Sequence, residues 1–155
     1  LEQCFEKVET MKTKDALDSL VKKLQDSIHR EEEKTYSKEV IINYRNPTFF
    51  KKLTSPDSKA EITGPCGDTI SLEITIKNGI IEDAGFSTDG CGPSIACGNK
   101  LCSMIVEKTL EEAGHVSSKH LRKSLGGLPK DHEHCSVLAV NTLKACLDSY
   151  KRNHE

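Results

Sequence analysis

Tryptophan is absent from this chain, and other aromatics are few: three Tyr and four Phe in 155 residues. The core must therefore rest on Leu, Ile, Val and Ala. No apolar run approaches the length of a membrane-spanning helix. Neither sign of charge dominates: 22 Lys and Arg face 24 Asp and Glu, interspersed, for a net charge of −2. A nucleic-acid groove and an anionic membrane surface are therefore not expected as partners. The first thirty residues are charged throughout and show no signal-peptide pattern. The first residue is Leu rather than Met, which fits a trimmed or processed chain. Internal repeats and low-complexity segments are lacking.

What is present suits one domain with a modest core. Hydrophobic residues make up 35% and charged residues 30%, polar but outside the disordered range. Cysteine is plentiful, with seven copies. The odd count and the placement inside regular patterns read as reduced thiols in a reducing, cytoplasmic setting, open to metal or redox chemistry.

The chain alternates between two periods. Residues 13–34 carry Leu17, Leu20, Val21, Leu24 and Ile28 at helical spacing, with charge on the other face. Ser37 is a cap for a short second helix carrying Val40, Ile41 and Tyr44, ended by Asn46-Pro47. The period then becomes two over 58–63, 69–77 and 80–87, with Leu72, Ile74 and Ile76 on one face of the second run. Asn78-Gly79 is a hairpin signal, because both residues tolerate the positive φ of a type I′ turn. Helical spacing returns after Cys91, with Pro93 in the first turn and Ile95, Leu101, Met104 and Ile105 as the apolar side. Ser117 caps a helix to Leu125, stopped by Gly126-Gly127 and Pro129. A last helix is expected from about Cys135 to Tyr150, with Val137, Leu138, Leu143 and Leu147 inward. Strands followed by helices imply an α+β fold: a small antiparallel three-stranded sheet packed with helices, plus an N-terminal helical extension. The expected division is 1–35 for the extension and 36–155 for the domain. The stripe on the extension must be covered by the domain's own helices or by a second subunit, and a homodimer is the expectation carried forward.

Three constellations carry chemistry. Gly64-Pro65-Cys66-Gly67-Asp68 places a thiol and a carboxylate two residues apart in a turn between strands, with glycines leaving room for a ligand. Gly90-Cys91-Gly92-Pro93 places a thiol at a helix N-terminus, where free N–H groups favour a thiolate. His132-Glu133-His134-Cys135 is a dense donor set at another helix start. Each alone has a plain alternative: an inert buried cysteine, a structural turn, or a solvated polar cap. Together they do not match a zinc-finger or ferredoxin spacing. A site built from three turns, with a carboxylate or imidazole as fourth ligand, is not enclosed by adjacent ligand pairs and can be opened. Cys97, Cys102 and Cys146 fall within helices and read as small core residues, with Cys97 less than two turns beyond Cys91. Cys4 lies in a terminal segment expected to be mobile.

The segments GPCGD at 64–68, DAGFSTDGCGPSIA at 83–96 and HCSVLAVNTLKACLDSY at 134–150 resemble the IscU/NifU-type iron–sulfur cluster assembly scaffolds. Tyr36-Ser37 followed by Asn46-Pro47 is similar to that family's opening stretch, and the resemblance covers about residues 36–151. It implies an α+β fold and a binding and transfer protein rather than an enzyme. It implies Cys66, Cys91 and Cys135 as ligands of a [2Fe-2S] cluster. Asp68 matches the aspartate that tunes cluster lability, and His134 the histidine beside the third cysteine. Zinc often takes the same ligands in this family. A pyridoxal-phosphate cysteine desulfurase as sulfur donor and iron–sulfur acceptor proteins are the implied partners.

The chain also departs from the family. Leu128-Pro129-Lys130-Asp131-His132 stands where the family has Leu-Pro-Pro-Val-Lys, which speaks against recognition by its Hsp70-type chaperone. His132 adds a further candidate ligand. Cys97-Gly98-Asn99 replaces the small, Ser-rich helix start after the second cysteine, and residues 1–35 have no counterpart in short members. The insertion of the SufU branch is lacking between Cys91 and Cys135. That argues against the competing reading, a zinc-bound sulfur acceptor shuttling persulfide. A structural zinc domain is a third reading. A Cys–His hydrolase is the remotest, since no group is evident to orient an imidazole next to its own nucleophile.

Overall fold

The computed structural model describes residues 2–154, with side chains from Lys12 onward, and it divides into two compact units, residues 1–35 and 36–155. The side chain of Cys4 lies outside the described residues. The first unit is one helix, α1 (Glu2–Thr35), about 50 Å long by its rise per residue. It begins eleven residues earlier than the apolar spacing alone predicts. Lys34 pairs with Glu31 at 3.3 Å and His29 approaches Glu32 at 3.9 Å, each across one turn. The side chains of Leu17, Leu20, Val21, Leu24 and Ile28 are exposed.

The second unit opens on α2 (Lys38–Arg45), where the Ser37 hydroxyl accepts the Val40 amide and Asn46 closes the helix before Pro47. Three strands follow: β1 (Ser58–Thr63), β2 (Thr69–Lys77) and β3 (Ile80–Thr88), an antiparallel sheet in the order β1-β2-β3. These are the expected strands, with the third one residue longer. Asn78 and Gly79 take φ of 55° and 76° and bring Lys77 opposite Ile80, as the hairpin signal predicts. Ile70, Leu72 and Ile74 point into the core. The opposite face is covered too: Glu73 is buried, accepts the Leu53 amide at 2.8 Å and pairs with Lys59 at 3.5 Å.

Helices α3 (Gly92–Ile105), α4 (Leu110–Gly114), α5 (Ser118–Ser124) and α6 (Glu133–Asn153) complete the unit, with a 3-10 turn at Lys130–His132. The inward side of α3 differs from expectation. It runs through Ala96, Cys97, Gly98, Leu101, Cys102 and Ile105, while Ile95 and Met104 are only half-buried. Small residues face the sheet because the helix presses closely on it at Phe86. Helix α4 has no periodic apolar signal. It is started by a capping box, in which Thr109 accepts the Glu112 amide and the Glu112 carboxylate accepts the Thr109 amide. Helix α6 begins two residues before Cys135 and buries Leu138, Leu143 and Leu147 as expected, but Val137 is exposed. Val137 shares its side of the helix with Asn141 and Lys144, which sets it on the solvent side. Among the described residues no helix is long and apolar enough to cross a membrane.

Candidate metal centre

One turn and two helix starts converge in the second unit. The first is the β1–β2 turn, closed by Gly64 N–H donating to Asp68 O at 2.8 Å and Gly67 N–H to Gly64 O at 3.0 Å. It presents an exposed Cys66 and a half-buried Asp68. The second is the start of α3. Cys91 occupies its N-cap position, so the residue that would ordinarily cap with an oxygen offers an exposed sulfur instead. The third is the stretch from the 3-10 turn into α6, which supplies His132, His134 and a buried Cys135.

The donor atoms sort into two groups. Cys91, His132 and Cys135 bring their ligand atoms within 4.8 Å of one another, and so do Cys66, Asp68 and His134. His132 Nδ1 stands 4.0 Å from Cys91 Sγ, and His134 Nε2 is 3.7 Å from Cys135 Sγ. All five residues singled out as ligands therefore meet in one place, and His132, flagged only as an extra donor, joins them.

Ser94 is the residue that motif reading missed. It is fully buried in the first turn of α3. Its hydroxyl lies 3.3 Å from Cys135 Sγ, 3.4 Å from Asp68 Oδ2 and 3.8 Å from Cys91 Sγ, so it joins the two groups. The signal was available: Ser three residues after an N-cap faces back toward that cap. Gly90 makes the space, because a Cβ there would lie 2.7 Å from Ser94 Oγ and 3.0 Å from Asp68 Oδ2. Burial pushes the Cys135 thiol up to about 11; the Ser94 hydrogen bond opposes this, while Cys91 and Asp68 add to it. A cation arriving there would take the place of that proton, since coordinated thiols ionise.

Three sulfurs, two imidazoles and one carboxylate form a soft donor set suited to zinc or to iron–sulfur chemistry. Cys97, Cys102 and Cys146 are buried and belong to neither group. Burial raises the pKa of all three, that of Cys146 to about 11. They are core residues, as expected.

Comparison with known proteins gives the family of the chain. The iron-sulfur cluster assembly scaffold protein IscU of Haemophilus influenzae is 40% identical over 121 residues, covering 75% of this chain and 95% of that protein. The protein of the same name in Escherichia coli is 36% identical over 128 residues, covering 77% and 97%. The solved N-terminal part of a nitrogen-fixing NifU-like protein from Brucella abortus has the same fold, with a TM-score of 0.59 at 15% identity over 75% of this chain and 94% of that one. The family profile described as NifU-like N terminal domain matches residues 35–155, and the chain belongs to that family.

Proposed function

We propose that this protein is a scaffold on which an iron–sulfur cluster is assembled and from which it passes to acceptor proteins. The observation that carries the reading is the convergence of three thiols, two imidazoles and Asp68 from three separate turns. Such a site is assembled by the fold from separate segments, and two of its thiols, Cys66 and Cys91, are exposed, so its cargo can both form and leave. The cargo is a [2Fe-2S] cluster, held by Cys66, Cys91 and Cys135 with Asp68 or His134 as fourth ligand. Zinc draws on the same six convergent donors, His132 included, when iron and sulfide are lacking. A cysteine desulfurase supplies the sulfur. The protein works in the cytoplasm by binding and transfer, without turning over a small substrate. The names of relatives at 36–40% identity favour this over a zinc-bound sulfur acceptor.

Anaerobic reconstitution with ferrous iron and sulfide tests the reading. The expected result is a visible chromophore that a chelator bleaches. Tightly held zinc with no chromophore at any iron-to-sulfide ratio would remove the scaffold.

The proposal extends to self-association through α1. Val21 and Ile28 fall at a positions and Leu17 and Leu24 at d positions of a heptad, the pairing that favours two parallel strands. The full chain should sediment as a dimer and its Leu24→Glu variant as a monomer. Identical sedimentation of the two would end this part of the proposal.

A further inference from the structure

We infer that Cys91, His132 and Cys135 form a site for a single tetrahedral divalent ion, Fe²⁺ or Zn²⁺, with His132 as a ligand in its own right.

The geometry is close to what an ion requires. With metal–sulfur and metal–nitrogen bonds of about 2.3 and 2.0–2.1 Å, tetrahedral coordination sets sulfur and nitrogen about 3.6 Å apart. Cys91 Sγ and His132 Nδ1 stand at 4.0 Å, and the whole triad lies within 4.8 Å. Side-chain adjustments of up to about 1 Å close the site. The fourth position is left to water or to incoming sulfide.

A second, independent observation concerns the far side of the ring. Histidine ligands are oriented by a partner on the nitrogen that does not bind metal. His132 Nε2 lies 3.5 Å from the Tyr36 hydroxyl and 3.9 Å from the Asp131 carboxylate. The Tyr36 ring also packs against the imidazole, with centroids 6.0 Å apart. These contacts hold the ring with Nδ1 toward the two sulfurs. His132 is half-buried, so the contacts constrain it as a freely solvated histidine would not be.

Donor counting points the same way. A binuclear cluster with bridging sulfides takes four protein ligands. Six donors converge here, in two groups of three. At least two are therefore not ligands of the finished cluster and are free for another role. His132 serves the mononuclear state, in which an ion waits on two thiolates and one imidazole before sulfide arrives. That sequence rests on the scaffold reading; the ion site itself does not.

The test uses the full-length apo-protein, reduced and anaerobic, with Co²⁺ as spectroscopic probe. One equivalent should bind with the absorption of a tetrahedral thiolate site. His132→Ala should weaken that first ion by about 10-fold or more and shift its visible band. Cys66→Ser and Asp68→Ala should leave it nearly unchanged. Nitrogen NMR of the unmodified protein with one equivalent of Zn²⁺ needs no variant to fold. It should show coordination at His132 Nδ1 while His134 stays free.

The inference is overturned if His132→Ala binds Co²⁺ like the unmodified protein, if Cys66→Ser weakens the first ion as much, or if Zn²⁺ leaves His132 Nδ1 unaltered. Iron–sulfide reconstitution is run alongside. A chromophore together with Co²⁺ binding indifferent to His132 refutes this inference and leaves the scaffold. Co²⁺ binding dependent on His132 with no chromophore refutes the scaffold and leaves the ion site.

Discussion

Two sets of thiols share this fold and differ in almost everything but their chemistry. Cys97, Cys102 and Cys146 sit inside helices α3 and α6 and are fully buried. The Cys146 thiol donates to Leu72 O at 3.7 Å, and its carbonyl accepts the Ser58 hydroxyl at 2.7 Å. Cys66, Cys91 and Cys135 sit at a turn, an N-cap and the first turn of a helix. Two of these three are exposed, and the buried one is reached by Ser94, Cys91 and His134. Position within an element, more than burial, separates the sets. A helix interior has its backbone groups paired and its neighbours fixed, whereas a helix start has spare donors and an open side.

The sharpest way to break that division is by substitution. Serine at position 66, 91 or 135 should abolish stable cluster assembly, because a hydroxyl is a poor iron ligand beside soft thiolates. Cys102→Ala should assemble a normal cluster and lose about 1 kcal/mol of stability. Absorbance after anaerobic reconstitution and urea unfolding read the two effects. Loss of the cluster in Cys102→Ala with retention in Cys91→Ser would reverse the assignment.

A smaller effect is expected within the site set. Asp68→Ala should lengthen the half-life of the cluster under chelator several-fold, since an oxygen donor beside thiolates weakens the site and admits solvent. A shortened half-life would show that Asp68 stabilises the cluster instead.

The core set makes an alkaline prediction. Burial raises the Cys146 thiol to about 11, above an unfolded value of about 8.5. A raised folded value means stability fully present below the unfolded value and lost as pH climbs through the folded one. For this thiol the loss is up to about 3 kcal/mol. Urea unfolding at pH 8 and pH 11 should show a smaller alkaline loss in Cys146→Ala than in the unmodified protein. Equal losses would mean that Cys146 stays protonated or that other groups set the alkaline limit.

The smallest effect is expected at the boundary between the sets. Cys97 is close in sequence to Cys91 but faces the core, so Cys97→Ala should leave cluster yield and spectrum unaltered. A changed spectrum would move Cys97 into the site.

The features legible in the sequence were those with local causes. The strands follow from alternation, the hairpin from Asn78-Gly79, and the starts of α2 and α5 from Ser37 and Ser117. The five ligand candidates were legible as motifs. Their sorting into two triads was not, because it depends on how α3 and α6 meet over the sheet. Glu73 illustrates the same limit: alternation assigns it to solvent, yet the segment carrying Leu53 folds over that face and supplies an amide. Helix α4 had a signal, the Thr109–Glu112 box, but at five residues it lacks a period to detect. Val137 was misplaced by counting apolar residues rather than following the face set by Leu143 and Leu147.

Gly98 lies where α3 crosses β3. A methyl group there would lie 2.4 Å from one carbon of the Phe86 ring and 2.6 Å from the next. The ring has nowhere to retreat, being 1% exposed with Phe50 edge-on at 5.2 Å. In evolutionary terms, positions 86 and 98 are one letter written in two places. A lineage that enlarges the second must shrink the first in the same step, or pass through a form with α3 levered off the sheet and Cys91 carried away at its tip. Of the many routes by which this core could drift, single changes at Gly98 are closed, and the cysteine seven residues upstream is sheltered by a constraint in which it takes no part.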